Sequence, residues 1–532
     1  MAVKDRNKNP ELILVQTDKD WHRLTSDGLD GFNYNDITVK LEAGLRGMKA
    51  SVQSEVTELK RIVLKWRTDL PENARFYGDH WERSYGDLEW RGFASERTMP
   101  WYFMVAFSDQ IIGYGVKTSP NAMCSWTVNS QWVTLCLDVR CGGIGVKLGG
   151  RNLEMAEIVC LEYKRISEFT AMQQFCKAMC DSPRLPETPI YGGNNWYYAY
   201  GESSHKEIIK DARLIASLSC SGTNRPFMII DDGWQLCHHK GFNGGPWAWG
   251  NSKFENMQRL AEEMQRIGTR PGIWFRPLLT VEKIKKEFTL PKERFKNSEN
   301  GVFMDPSLPE VLEIIKRDTR RLVDWGYELI KHDFTTYDLF GRWGFEMGMD
   351  ITNEGWHFSD TSRTSAEIIN SLYIAIKEAA GNAVVIGCNT LSHLAAGHFQ
   401  IQRTGDDTSG LQWERTRKMG INTLAFRMPQ HNNFYAVDAD CVGITAKIPW
   451  ALNSQWLELL SKSGTPLFVS ISPKHANAEH KKALEKAFHY ASQSREVAVP
   501  VDWLGNNCPG KWMIDGELVR FDWHPLEPEQ CK

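Results

Sequence analysis

Between residues 190 and 475, short apolar runs alternate with segments whose apolar positions fall three and four apart. That alternation constrains the fold more than any other feature of the chain. The runs at 191–200, 226–231, 270–275, 327–333, 383–388, 399–404, 422–426 and 466–471 predict buried strands. Between them, Ile208, Ala212 and Ile215 mark a helix, as do Met257, Leu260, Ala261 and Met264. Val311, Leu312, Ile315 and Leu322 mark another, and Ile369, Leu372, Tyr373, Ile376 and Ala380 a further one. About eight strands interleaved with helices over ~300 residues is the count of a (β/α)8 TIM barrel, closed by a helix over 478–492. An open doubly wound sheet is the alternative, but no Gly-rich dinucleotide loop supports it.

The flanks read differently. Runs such as RIVLKW (61–66), WYFMVAF (101–107) and WVTLCLDV (132–139) are short, aromatic and β-branched, with turn residues and no helices between them. They predict a β-sandwich. A helical pattern near 164–180 and three prolines within 181–189 then mark a boundary. The expectation is a multidomain α/β chain: an N-terminal β-sandwich over 1–185, a central (β/α)8 barrel over 186–494, and a small C-terminal β segment over 495–532. A length of 532 residues accommodates three such parts.

Charge excludes some classes of partner. Sixty-three Lys and Arg against 66 Asp and Glu leave a net charge of -3, so a polyanion-coating protein is not expected. The N-terminus carries charges where an export signal needs its apolar run, and no stretch approaches the ~18 apolar residues of a membrane span. Twelve scattered cysteines read as reduced thiols and a cytoplasmic protein. Cys237, His238 and His239 are metal-ligating types, but no CxxC pair accompanies them, and no metal or cofactor is assigned.

Chemistry in a barrel sits where strands end, and here those ends are loaded. IIDDGW (229–234) closes an apolar run with Asp231 and Asp232. LIKHDF (329–334) puts Lys331 and Asp333 on one face of a strand. IGCN (386–389) ends in Cys388 and Asn389, and IQRTGDDT (401–408) places Arg403 four residues before Asp407. A single Asp at a strand end commonly caps the next helix; four loaded ends on one rim do not reduce to capping. Paired carboxylates with cations beside them and indoles around them suit glycoside hydrolysis, one attacking or activating water and the other protonating the leaving oxygen. The 21 tryptophans fit sugar stacking or large sandwich cores equally well.

IIDDGWQ, GIWFRP, LIKHDF and RTGDDTS, in that order, resemble the catalytic barrel of glycoside hydrolase family 36, with family 27 as its clan relative. The resemblance implies a retaining exo-α-galactosidase acting on small α-galactosides or galactose-terminated oligosaccharides, with no nucleic acid or membrane partner; it leaves room for a homo-oligomer. It implies Asp333 as nucleophile and Asp407 as acid/base, with Asp406 the competing choice. It implies Asp231, Asp232, Lys331 and Arg403 as sugar-binding groups, with the aromatics Trp196, Trp234 and Trp274. Cys388 and Asn389 match the strand end that reads the C2 substituent, and Asp438 and Asp440 are further candidates. The chain departs from the pattern at Arg276, where many members carry an acid. The charge- and aromatic-dense segment 79–90 reads either as reaching over the barrel mouth or as a sandwich edge. An α-N-acetylgalactosaminidase, a raffinose-synthase-like galactosyl transferase and a non-catalytic sugar-binding barrel remain as alternatives.

Overall fold

The computed structural model describes residues 9–524 except 19, 45, 220–221 and 297–298. The start of the chain, read above for an export signal, and the last eight residues of the C-terminal segment lie outside the described residues. No helix among the described residues is long and apolar enough to cross a membrane.

A barrel of parallel strands occupies the middle of the chain. Its strands are Tyr191–Asn194, Phe227–Ile230, Arg270–Phe275, Leu329–His332, Val384–Gly387, Ile401–Arg403, a seventh in two pieces, and Leu467–Ser470. Each pairs in parallel with the next, and the eighth pairs with the first. The seventh is split. Ala436–Asp438 pairs with the sixth strand and Cys441–Gly443 with the eighth, so the wall closes through the chain at Ala439 and Asp440. Asp440 sits at φ 69°, and this left-handed residue makes the break.

The amphipathic stripes form the outer helices His205–Leu218, Met257–Ile267, Pro309–Asp324, Ser365–Ala380, Trp450–Lys462 and Ala478–Ala491. Ser204, Asn256, Thr364 and Asn477 cap four of them with side-chain oxygens. One expectation fails: 422–426 is helical, inside a continuous stretch over 413–430. Its apolar residues Ile421, Leu424, Ala425 and Met428 are all buried and stand at 0, 3, 4 and 7, a helical spacing that a five-residue window conceals. The seventh strand lies instead in AVDADCVG (436–443), where two buried carboxylates mask the apolar run.

The N-terminal part contains a six-stranded and an eight-stranded antiparallel sheet, with the helix Glu168–Met179 packed on the larger one. Phe175 and Met179 of that helix lie against Gly113 and Gly115, where a side chain would collide with them. A three-stranded sheet, Val499–Pro500, Lys511–Ile514 and Glu517–Arg520, ends the described chain.

Candidate active site

The carboxyl ends of the barrel strands bring most of the predicted residues together. At the second strand, Asp231 Oδ2 accepts from Lys331 Nζ at 2.6 Å and from Asn194 Nδ2 at 2.6 Å. Its Oδ1 accepts the Asp232 N–H at 2.9 Å, and its own N–H donates to Asn195 Oδ1 at 2.8 Å. Three strands are thereby tied at one carboxylate. Burial works against the Lys331 ammonium, but Asp231, and after it Cys388 and Asp333, hold it well above the usual lysine range.

Asp232 is 7% exposed and accepts from Gln235 Nε2 at 2.7 Å. Burial, with Asp231 adding to it, pushes this carboxyl up to about 7 against the pull of that hydrogen bond. The glycine of DDGW has a steric reason. Gly233 adopts φ 114°, and a Cβ there would lie 2.5 Å from Gly201 Cα, where the loops after the first two strands cross.

Asp333 ends the fourth strand and is half-buried. Its Oδ2 accepts the indole N–H of Trp274 at 3.0 Å and its Oδ1 the Phe334 N–H at 2.7 Å. Phe334 is left-handed, at φ 64°, which turns the chain sharply after the carboxylate. Trp234 is fully buried and donates Nε1 to the Trp274 carbonyl at 3.0 Å. It braces the third strand from behind instead of lining the mouth. Trp196 is half-buried, its ring 5.4 Å from Tyr200.

Arg403 is 1% exposed and converges on four groups: Asp440 Oδ2 at 2.7 Å, Asp407 Oδ1 at 3.1 Å, Tyr197 Oη at 3.4 Å and Cys388 Sγ at 3.7 Å. Asp440 Oδ2 also accepts from Thr408 N at 2.7 Å and Thr408 Oγ1 at 2.9 Å, and from the Tyr197 hydroxyl. The broken seventh strand thus supplies the counter-ion that fixes Arg403. Burial pushes Asp438, one turn of chain away, up to about 6.

The two adjacent aspartates face different surroundings. Asp406 is 17% exposed and spans Arg83 at 3.0 Å and Arg415 at 2.6 Å. Asp407 is 39% exposed, with Arg403 at 3.1 Å and Arg83 at 3.9 Å. Burial raises the Asp407 carboxyl, but Arg403, Arg83, Lys331 and Arg415 outweigh it and hold it below the ordinary carboxylate range. Asn389 is fully buried. Its amide donates to Glu82 Oε2 at 2.5 Å and its carbonyl accepts the Tyr337 N–H at 3.4 Å.

Arg276 is buried. It is 4% exposed, paired with Asp338 and stacked 4.1 Å from the Phe334 ring centroid. Glu82 and Arg83 reach the mouth from the sandwich, so segment 79–90 does enter the barrel rim. Sequence reasoning singled out that segment by its charge and aromatic density but missed those two residues and Tyr197. Among the described residues no His, Cys, Asp and Glu cluster is arranged to hold a metal. A cavity of about 160 Å³ opens at the opposite end of the barrel, beside Ile190, His431 and Pro466, and contains none of these groups.

No protein-family model matches the sequence. Solved structures do match it over nearly its whole length. An α-galactosidase from Thermus thermophilus, in complex with p-nitrophenyl α-D-galactopyranoside, aligns over 96% of this chain and 99% of its own, with TM-score 0.62 and 15% identity. The fold is that of the family 36 α-galactosidases. A family 36 α-galactosidase from Geobacillus stearothermophilus, in complex with 1-deoxygalactonojirimycin, aligns over 95% of this chain and 77% of its own, with TM-score 0.62 and 12% identity. The galactosidase domain of an α-galactosidase-sucrose kinase aligns over 91% and 72%, with TM-score 0.58 and 13% identity.

Proposed function

We propose that this chain is a retaining exo-α-galactosidase. The observation that carries the reading is the contrast among the carboxylates at the mouth. Asp231 is tied to Lys331 and Asn194, and Asp406, 17% exposed, lies between two arginines, while Asp333 is half-buried with the Trp274 indole as its side-chain partner and Asp407 is 39% exposed beside Arg403 and Arg83. In this reading Asp333, oriented by the Trp274 indole and a backbone N–H, attacks the anomeric carbon. Asp407, whose carboxyl the surrounding cations hold ionised in the free site, has to take up a proton as substrate binds; it gives that proton to the departing oxygen, then takes one from the water that releases the sugar. Asp232, and Asp231 in addition to the bonds it already accepts, take hydroxyls of the galactose ring, so a glucoside, with its 4-OH equatorial, forfeits a hydrogen bond to a buried carboxylate. The structural neighbours carry p-nitrophenyl α-galactoside, stachyose or raffinose, and we infer the same substrate class here.

The division into 1–185, 186–494 and 495–532 belongs to the same reading, with the barrel as catalytic part. Ten free cysteines among the described residues support a reducing, cytoplasmic setting. The test is a panel of nitrophenyl α-galactoside, α-N-acetylgalactosaminide, α-glucoside and β-L-arabinopyranoside, with the first-formed anomer read by proton NMR. Fast release of α-galactose is expected. Comparable rates on the α-glucoside, or β-galactose as first product, overturn the reading.

A further inference from the structure

Residues 82–85 belong to the sandwich in sequence but are seated in the barrel. Ser84 N–H donates to the Thr404 carbonyl at 2.8 Å, and Asp406 N–H donates to the Ser84 carbonyl at 3.1 Å, a short parallel bridge onto the end of the sixth strand. Glu82 is fully buried. Its carboxylate accepts from Gly344 N at 2.7 Å, from Asn389 Nδ2 at 2.5 Å and from the Tyr85 hydroxyl at 2.5 Å, and its carbonyl accepts from Arg427 at 2.5 Å. The loops after strands four, five and six are each gripped. Gly405 makes this close seating fit on its other side, since a Cβ there would lie 2.0 Å from the Met419 carbonyl oxygen.

The seating delivers one cation to the catalytic loop. Arg83 is 8% exposed, with its guanidinium 3.0 Å from Asp406 and 3.9 Å from Asp407, flanked by the Trp343 and Tyr85 rings at 5.6 and 5.8 Å. Its Nε is buried without a partner, so both paired contacts are made by the terminal nitrogens. We propose that Arg83 is a positioning residue through which the N-terminal sandwich fixes the Asp406–Asp407 loop and governs when Asp407 takes its proton. The assignment rests on the reading of Asp407 as acid/base.

Other groups face Asp407 as well. Arg403 comes from the sixth strand, Lys331 from the fourth and Arg415 from the helical stretch that follows. Tyr197 and Tyr200 come from the loop after the first strand. Asp440 shares Arg403. Arg403 is thus divided between two carboxylates and Lys331 is bound to Asp231, whereas Arg83 serves this loop alone among its ion pairs. Removing it takes positive charge from Asp407 without dismantling the sugar-facing pairs.

The experiment compares the full chain with Arg83→Met, Arg83→Gln and Arg83→Lys. In protein labelled with carboxyl-13C aspartate, the Asp407 resonance is identified by its loss in Asp407→Asn and titrated with pH. Arg83→Met and Arg83→Gln should raise the midpoint by about one to three pH units, the range of an arginine beside a carboxylate. Arg83→Lys, which keeps a charge, should shift it less. Gln retains a donor for Asp406, so it carries the test if the Met variant does not fold. In parallel, the basic limb of kcat/KM on raffinose should move to higher pH by the same amount, because kcat/KM follows the fraction of protonated acid. An unmoved midpoint in a folded neutral variant overturns the proposal, even if the rate falls at every pH. A moved midpoint in a chain that hydrolyses no α-galactoside supports the electrostatic role of Arg83 and refutes the proposed function instead.

Discussion

Arg276→Met tests what holds the loop behind Asp333. Arg276 donates Nε to Asp338 Oδ2 at 3.0 Å and a terminal nitrogen to Oδ1 at 2.5 Å, donates a third bond to Asn243, and lies over Phe334, the residue after Asp333. Asp338 is 0% exposed. Without Arg276 its carboxylate keeps only Arg294, which spends its own N–H groups on the Asp338 carbonyl at 3.1 and 2.6 Å. Breaking one side of a buried pair costs about 3–5 kcal/mol, whereas replacing both partners with apolar groups is near neutral. Arg276→Met should therefore be destabilised by about 3–5 kcal/mol, and Arg276→Met/Asp338→Leu by roughly half of that or less.

The sign of the pH dependence follows from burial. Even with its partner present, burial outweighs Arg276 and holds the Asp338 carboxyl above the ordinary carboxylate range; without Arg276 it rises further. A group whose folded pKa exceeds its unfolded one loses stability as pH climbs from the unfolded value toward the folded one. The deficit of the single variant should be smaller at pH 5 than at pH 8. Urea unfolding followed by circular dichroism at both pH values checks this. A deficit below about 1 kcal/mol at pH 8, one that does not change with pH, or simple additivity in the double variant would refute the reasoning.

The other predictions concern the mouth. Asp333→Ala should lose nearly all turnover and recover part of it with azide, giving a β-galactosyl azide; retention of more than about a tenth of the activity excludes a nucleophile. Asp407→Ala should slow raffinose by about 10²–10⁴ and nitrophenyl α-galactoside far less, since nitrophenolate departs without a proton. Asp406→Ala should show no such leaving-group dependence and should instead melt earlier; the reverse pattern means Asp406 is the acid. Asp231→Asn should narrow the preference for galactosides over glucosides, checked as the ratio of kcat/KM values; an unchanged ratio removes Asp231 from recognition.

Much of this site was legible in the sequence because barrel strands are short and continuously apolar. IIDD and LIKHD show where burial stops and chemistry starts, and the structure ties Asp231 to Lys331 just there. The seventh strand was hidden for the opposite reason. Its middle holds Asp438 and Asp440, each buried and each tied into neighbouring loops, so no apolar run marks it. Trp234 and Trp274 were indistinguishable as letters. Both are fully buried, but the indole N–H of Trp234 goes to the Trp274 carbonyl and that of Trp274 to the Asp333 carboxylate. Arg83 was beyond reach because its partners are more than three hundred positions away, and local pattern carries no trace of a pairing between separate folding units.

The grip of residues 82–85 on the barrel also bears on how the molecule is made. The partners of Glu82 and Ser84 span Gly344 to Arg427, separations of 262 to 345 residues along the chain. On the ribosome the sandwich emerges first and can fold while most of the barrel is still untranslated. The rim segment must then wait, with Glu82 and Arg83 uncovered, until the sixth strand and the helical stretch behind it have left the exit tunnel. A nascent chain halted before residue 430 therefore has a finished sandwich and no finished site. Sandwich and barrel expressed as separate polypeptides would face the same late step as a bimolecular one, set by concentration rather than by tether.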